Sequence, residues 1–237
     1  MLMDSHNSCT HILWDWNGTL LNDVDIVIDA MNSLLKRRNL LALDEEKYRN
    51  IFTFPVKEYY AQLGFDFSVE PFEDLATEYI TTFNSDKYQF SLHSGVEEVL
   101  QFISSLGISQ SVLSASKEQE LIEAVNKLNI ADYFERIAGL NNHYAISKVE
   151  RGKDLLVELS LEPHEVLLIG DTIHDYEVAK EIGCRCLLVC NGHQSYQRIK
   201  GCGAGIIESI TDVIGLFKGV AIEARENLEI GCVLKTV

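Results

Sequence analysis

The chain has 237 residues, enough for one sizeable core or one core plus a small inserted unit, with the 46% apolar and 24% charged content of an ordinary globular protein. Its 36 acidic against 20 basic residues give a formal net charge of −16, which argues against a nucleic-acid partner but leaves room for a small anionic ligand held by a metal ion and local amides. No apolar run approaches the ~18 residues of a membrane span, and Met1-Leu2-Met3-Asp4-Ser5-His6 lacks a signal-peptide layout, so no membrane partner and a cytoplasmic location are expected.

Thr10-His11-Ile12-Leu13-Trp14 is predicted to be a buried strand that runs into the turn Asp15-Trp16-Asn17-Gly18-Thr19-Leu20. A carboxylate in that position lies just outside a strand's carboxyl end, where open α/β sheets bind ligands. Alternation turns Trp14 and Trp16 away from the side of Asp15 and into packing. Helical periodicity then dominates: Val24 to Leu40, Glu45 to Phe52, Val56 to Leu63 and Phe72 to Phe83 read as helices with little strand signal.

From Gly95 the pattern changes to alternating elements. Val96 to Leu106 is a helix stopped by Gly107, Ile108 to Leu113 a strand ending at Ser114-Ala115-Ser116, and Lys117 to Leu128 an amphipathic helix. Lys148 to Leu159 is a further helix, and Glu165 to Ile169 a buried strand that ends at Gly170-Asp171. Tyr176 to Ile182 is helical, closed by Gly183, and Arg185 to Cys190 is the next strand. Such alternation specifies βαβ units and a doubly wound parallel sheet. Cys9, Cys184, Cys186, Cys190, Cys202 and Cys232 have no zinc-type spacing and read as small buried thiols in a reducing compartment. Ala221 to Leu228 is compatible with a helix, in a tail that receives no role.

Two segments carry chemistry. The first is Asp15-Trp16-Asn17-Gly18-Thr19-Leu20. The second is Gly170-Asp171-Thr172-Ile173-His174-Asp175, in which Asp171 ends a strand and Asp175 follows four residues later on the same side of a loop-to-helix junction. Two close carboxylates repel unless a hard cation neutralises them, as Mg²⁺ does. The competing reading makes Asp171 a helix cap and Asp175 a favourable first-turn charge.

Together the two segments, in this order and each at a strand end, resemble the first and fourth motifs of the haloacid dehalogenase-like superfamily, most of whose members are phosphatases. The chain is most similar overall to phosphoglycolate phosphatase-like members. The resemblance implies a Rossmann-like core from residues 1–21 and 91–237, with residues 22–90 inserted as an α-helical cap. It implies Asp15 as nucleophile, Gly18 as turn glycine and Thr19 as a phosphate contact. It implies Ser114, with Ala115 and Ser116 amides, as the second phosphate-binding motif. The motif lysine is Lys148, preferred over Lys153. The implied cofactor is Mg²⁺, held by Asp15, the Asn17 carbonyl, Asp171 and Asp175, and the implied partner is a small phosphorylated substrate. Oligomeric state is left open. His93 and Ser94 need no role; His174 and His193 are accessory candidates at the sheet's functional edge.

The departure is Asn17. The superfamily's usual pattern has a second aspartate there, which protonates the leaving alkoxide and then activates water. An amide donates hydrogen bonds but does not titrate near neutral pH, and general acid/base catalysis is typically worth ~10²–10⁴-fold. Three readings follow. One is a phosphatase whose leaving group is protonated by another group or is already good, such as an acyl or aryl phosphate. Another is a phosphonatase- or dehalogenase-like hydrolase, for which cap lysines Lys36, Lys47 and Lys57 are available as the phosphonatase amine. The last is a catalytically impaired phosphoryl-ligand-binding regulatory protein. Asn17-Gly18 is also the dipeptide most prone to deamidation, a route back to a carboxylate.

Overall fold

A computed structural model describes residues 9–85, 90–140 and 147–219. The expectations for the N-terminal six residues, for Cys232 and for a helix over 221–228 fall outside the described residues. The chain opens with strand β1 (His11–Trp14) and the two-residue β2 (Leu21–Asn22). Four helices follow, α1 (Val24–Arg37), α2 (Glu45–Ile51), α3 (Val56–Gln62) and α4 (Phe72–Ser85), and then β3 (Ser91–Leu92). The second half alternates α5 (Val96–Ser105), β4 (Ser109–Lys117), α6 (Glu118–Lys127), β5 (Arg136–Leu140), α7 (Lys148–Glu158) and β6 (Val166–Gly170). It finishes with α8 (Ile173–Ile182), β7 (Arg185–Val189), α9 (Tyr196–Ile199), β8 (Gly205–Ile207) and a helix over 212–219.

Six strands form one parallel sheet in the order β5-β4-β1-β6-β7-β8. Counting only these strands along the chain, the order is 3-2-1-4-5-6, the doubly wound arrangement that opens a crevice where the winding direction reverses. That reversal falls between β1 and β6. Their register pairs Trp14 with Ile169, so Asp15 and Asp171 emerge side by side at the switch point.

Period-2 alternation distributes the strands between two apolar layers. Ile12, Trp14, Leu167, Ile169, Leu187 and Val189 face one layer, with α5, α6 and the 212–219 helix. Leu13, Val166, Leu168, Cys186 and Leu188 face the other, with α7 and α8. Trp14 and Trp16 are buried in the first layer, as alternation predicts. Helices α1 to α4 have a core of their own, in which Val24, Val27, Ile28, Met31, Leu34 and Leu35 recur at helical spacing along α1. The antiparallel β2–β3 pair holds the two chain crossings at this helical unit together, Leu21 opposite Leu92 and Asn22 opposite Ser91.

Several boundaries differ from the sequence expectation. Helix α1 stops at Arg37 rather than Leu40, because Asn39 takes a left-handed φ of 54°. Strand β4 continues past Leu113 to Lys117 through a register shift against β5. Helix α8 starts at Ile173, three residues before Tyr176, because Thr172 and Asp175 form a capping box. Strand β5 has too little apolar signal to be read: Arg136 is exposed and Gly139 is held free of a side chain by the Glu118 backbone, its nitrogen 2.7 Å from where a Cβ would lie. The five described cysteines are all free, but only Cys186 is buried; Cys9, Cys184, Cys190 and Cys202 are partly exposed because they lie beside strand ends or in a turn. No helix among the described residues is long and apolar enough to cross a membrane.

Candidate active site

The turn after β1 is tight because the amides of Thr19, Leu20 and Leu21 all converge on the Trp16 carbonyl. Gly18 adopts φ +74°, and a Cβ there would lie 2.6 Å from Asp171 Oδ2 and from a His193 ring carbon. Both conditions demand glycine. The turn presents Asp15 to a cavity of about 290 Å³ between the carboxyl edge of the sheet and the helical unit.

Four buried ionisable side chains meet at that edge. Lys148, the first residue of α7, donates through Nζ to Asp15 Oδ1 and, at 2.6 Å, to Asp175 Oδ1. Burial alone would discharge this ammonium, but the two carboxylates override it and hold its pKa above the ordinary value. Its rival Lys153 is half-exposed and pairs with Glu150 at 3.2 Å on the outer face of the helix. Asp175 Oδ2 accepts the Thr172 hydroxyl at 2.7 Å and the Thr172 amide at 3.0 Å. Asp175 therefore serves the helix start and the lysine at once. Thr172, not Asp171, is the N-cap.

Asp171 is fully buried, its Oδ1 accepting the Thr19 hydroxyl at 3.0 Å and its Oδ2 the His193 amide at 2.5 Å. Gly192 makes room for this contact, since a Cβ there would collide with the Asp171 carboxylate. Carboxylate oxygens of Asp15, Asp171 and Asp175 all lie within 4.8 Å of one another. Burial raises the Asp15 carboxyl to about 7, against the pull of Lys148 and with the push of Asp175 and Asp171. Burial likewise raises Asp171 to about 6, opposed by the charge of His193. Asp175 stays below its ordinary value because Lys148 outweighs its burial. Three carboxylates facing one ammonium leave a charge deficit that a hard, oxygen-binding divalent cation suits.

Asn17 is half-buried on the cavity wall with both ends of its amide engaged. Its Nδ2 donates to Asp23 Oδ2 at 2.7 Å, and its Oδ1 accepts the Ser116 hydroxyl at 2.8 Å. The Gly18 amide donates to Asp23 Oδ1 at 2.9 Å. Asp23, fully buried, thus organises the turn, a role that no sequence motif marks. Ser114 and Ala115 line the cavity, and the Ser114 hydroxyl accepts the Ser116 amide at 3.0 Å. Thr19 is buried with its hydroxyl turned to Asp171.

The histidines are drawn in more closely than their sequence positions suggest. His93 Nε2 donates to the Gly18 carbonyl at 3.1 Å, which leaves Nδ1 to accept from Asn191 Nδ2 at 3.3 Å. His193 is buried with Nε2 3.4 Å from Asp23 Oδ1 and Nδ1 2.8 Å from the Tyr48 hydroxyl. Burial would lower its pKa, but Asp23, Asp171 and Asp15 together raise it to about 9, so it carries charge at neutral pH. His174 lines the cavity and stacks on Phe54 with ring centroids 4.6 Å apart. A histidine straight after a strand's carboxyl end, as in Asn191-Gly192-His193, was the sequence's one pointer to this network.

Residues 12–189 match the family described as haloacid dehalogenase-like hydrolase. The chain belongs to this family. Among relatives, an N-acetylmuramic acid 6-phosphate phosphatase of Pseudomonas putida is 27% identical over 191 residues, covering 77% of this chain and 83% of that protein. A phosphoglycolate phosphatase of Chromobacterium violaceum is 20% identical over 227 residues, covering 87% and 96%. Among solved structures, a haloacid dehalogenase-like hydrolase of Streptococcus pneumoniae superposes with a TM-score of 0.77 at 20% identity, covering 88% of this chain and 98% of that one. CbbY of Rhodobacter sphaeroides, solved with phosphate, superposes with a TM-score of 0.65 at 19% identity over 85% and 94%. This hydrolase family and its doubly wound fold are thus those that the two motifs implied.

Proposed function

We propose that this family member is a Mg²⁺-dependent phosphatase acting on a small phosphorylated metabolite through an aspartyl-phosphate, with residues 22–90 as a cap over the site. The observation that carries the reading is Lys148 bridging Asp15 and Asp175 beside Asp171, all buried at the switch point. The phosphatase names of the two relatives support it. Asp15, Asp171 and Asp175, with the Asn17 carbonyl, would hold the metal. When bound, Mg²⁺ supplies charge neutralisation and fixes the phosphate oxygens.

Asp15 presents its carboxylate to phosphorus, its ionised form favoured by Lys148 and by the cation that the site would hold. Lys148 stays protonated and faces the equatorial oxygens as their charge grows. Ser114 Oγ and the Ala115 amide receive the phosphoryl group from the β4 side, with the Ser116 amide orienting the Ser114 hydroxyl. Thr19 and the His193 amide act indirectly, by fixing both oxygens of Asp171. Asn17 contributes no proton, and its amide steadies the turn through Asp23 and Ser116.

The phosphonatase alternative needs a cap amine at the cavity. Lys57 instead lies over the rings of Phe67 and Phe72, at 5.3 and 5.8 Å, and the cavity-lining lysines among the described residues are Lys117 and Lys148. The cluster of three carboxylates argues for metal-assisted phosphoryl transfer over halide displacement, which needs no cation. The deciding experiment is a Mg²⁺-dependent screen of phosphate esters, an acyl phosphate, phosphonoacetaldehyde and a haloacid. Phosphate release that disappears in Asp15→Asn upholds the proposal. Borohydride-sensitive turnover of phosphonoacetaldehyde, or ligand binding without turnover even in Asn17→Asp, overturns it.

A further inference from the structure

Across the cavity from the carboxylates, the wall changes character. It is formed by Val27 and Met31 of α1 and by the rings of Phe52, Phe54, Tyr59 and Phe83. Phe52 makes edge-to-face contacts at 5.4 Å with both Phe54 and Tyr59, so these three rings hold one another in place. Among the described residues, no Lys or Arg of the helical unit lines the cavity. Arg37 and Arg38 pair with Glu78, and Arg38 also with Glu70. Arg49 pairs with Glu45 and reaches the Cys190 and Asn191 carbonyls. Lys57 lies over the Phe67 and Phe72 rings. The charged group that meets this wall is His193, its ring 5.4 Å from that of Phe52, and its charge is matched by Asp23 at 3.4 Å.

A second observation is the Tyr59 hydroxyl. The side chain is 1% exposed and lines the cavity, yet its oxygen has no hydrogen-bond partner in the structure. A buried phenol without a partner costs free energy, which a ligand carrying an acceptor or donor would recover. The third is the chemical deficit at position 17, where both ends of the amide are tied and no proton is available to a departing alkoxide.

From these three observations we propose that the substrate is the phosphate monoester of an uncharged aromatic alcohol, its ring seated against Phe52 and Phe54 and one polar ring substituent facing the Tyr59 hydroxyl. The assignment rests on the phosphatase reading of the same site. An engineered cavity of ~150 Å³ accepts a benzene ring, so about 290 Å³ accommodates a ring together with a phosphoryl group. A carboxylated or doubly phosphorylated leaving group would be desolvated against these rings, and no Lys or Arg of the helical unit among the described residues lines the cavity to compensate it. The chemistry balances without an acid at position 17. An Asp15 oxygen forms a bond to phosphorus while the bond from phosphorus to the aryl oxygen breaks. The aryloxide leaves with the electron pair, delocalised into the ring, and takes a proton from solvent. Water then attacks the phosphorus of the aspartyl-phosphate, Asp15 leaves as carboxylate, and the proton from water passes to solvent. The sum is aryl phosphate plus water giving phenol plus phosphate.

Binding and turnover are tested separately. With the Asp15→Asn protein and Mg²⁺, calorimetry should show phenylphosphonate binding at least ~10-fold tighter than methylphosphonate or phosphonoacetate, the size of effect that a buried ring supplies. Phe54→Ala should lower phenylphosphonate affinity by about 2- to 10-fold. Tyr59→Phe keeps the ring and removes only the unpartnered hydroxyl. It should weaken binding of a ring bearing a carbonyl or hydroxyl substituent more than that of the plain phenyl ring. With the native protein, kcat/KM should rank phenyl phosphate above benzyl phosphate, which carries the same ring on an alkoxide, and both above 2-phosphoglycolate. Equal or tighter binding of methylphosphonate or phosphonoacetate, or a preference for 2-phosphoglycolate, overturns the aromatic assignment while leaving the phosphatase reading standing. Tight phenylphosphonate binding with no phosphate release from any ester supports the ring site and overturns the phosphatase reading instead.

Discussion

On the core side of the cavity, Asp15, Lys148, Asp171 and Asp175 are drawn from separate strand and helix ends into one buried charged cluster. The helical side offers rings and aliphatic chains, and among the described residues none of its Lys or Arg side chains lines the cavity. The charged wall gains its strength from each member compensating the others, so removing one leaves the rest uncompensated in a low-dielectric site. The aromatic wall is held by dispersion and area, which tolerate substitution and retune gradually. Under the proposed function, one wall fixes which reaction is possible and the other sets how well a given alcohol fits.

The contrast is broken most severely at Asp15. Asp15→Asn should reduce steady-state phosphate release by about 10³-fold or more, in line with the loss of other covalent nucleophiles. Next is Lys148→Met, expected to lower kcat by ~10²–10³-fold, as loss of a preorganised charge does. Because it strips a buried pair of its partner, it should also cost about 3–5 kcal/mol in denaturant unfolding without metal. Metal addition sharpens the same side: Mg²⁺ at 100 times its Kd should stabilise the native protein by about 2.7 kcal/mol in thermal melts, with a smaller gain in Asp171→Asn. An equal gain there would place the ion elsewhere.

Asn17→Asp acts in the opposite direction. It should raise kcat/KM on alkyl phosphates ~10-fold or more and on aryl phosphates less, since aryloxides need no proton. Equal gains would mean that another group already moves that proton. The smallest effect belongs to Lys153→Ala: within about 0.5 kcal/mol in stability and no change in activity, because its pair with Glu150 is exposed. A large loss there would reverse the assignment of the motif lysine.

The same contrast explains what could be read from the sequence. The charged wall is encoded in short segments, Asp15 to Leu20 and Gly170 to Asp175, whose spacing alone puts carboxylates at strand ends. The strands beneath them, Ile12 to Trp14 and Val166 to Ile169, are continuous apolar runs, so the parallel sheet was legible too. Lys148 over Lys153 followed from its place at the helix start. What stayed hidden depends on tertiary contact. Asp23 matters because the turn folds back over it. His193 matters because Gly192 lets its amide reach Asp171, and Tyr59 because its neighbours leave its hydroxyl unpaired. The deamidation route is disfavoured for a similar reason: the Gly18 nitrogen that would attack the Asn17 amide is held by Asp23 and the Leu21 carbonyl.

The β2–β3 ladder has a consequence for how such a molecule changes over time. Because Asn22 lies opposite Ser91, the polypeptide departs from the sheet and comes back through a single doorway. The proposed cap hangs from that doorway, so its length could change while the strands that carry Asp15 and Asp171 keep their register. If residues 22–90 act as the proposed cap, selectivity is portable in this architecture, and a new metabolite can be adopted without relearning the chemistry.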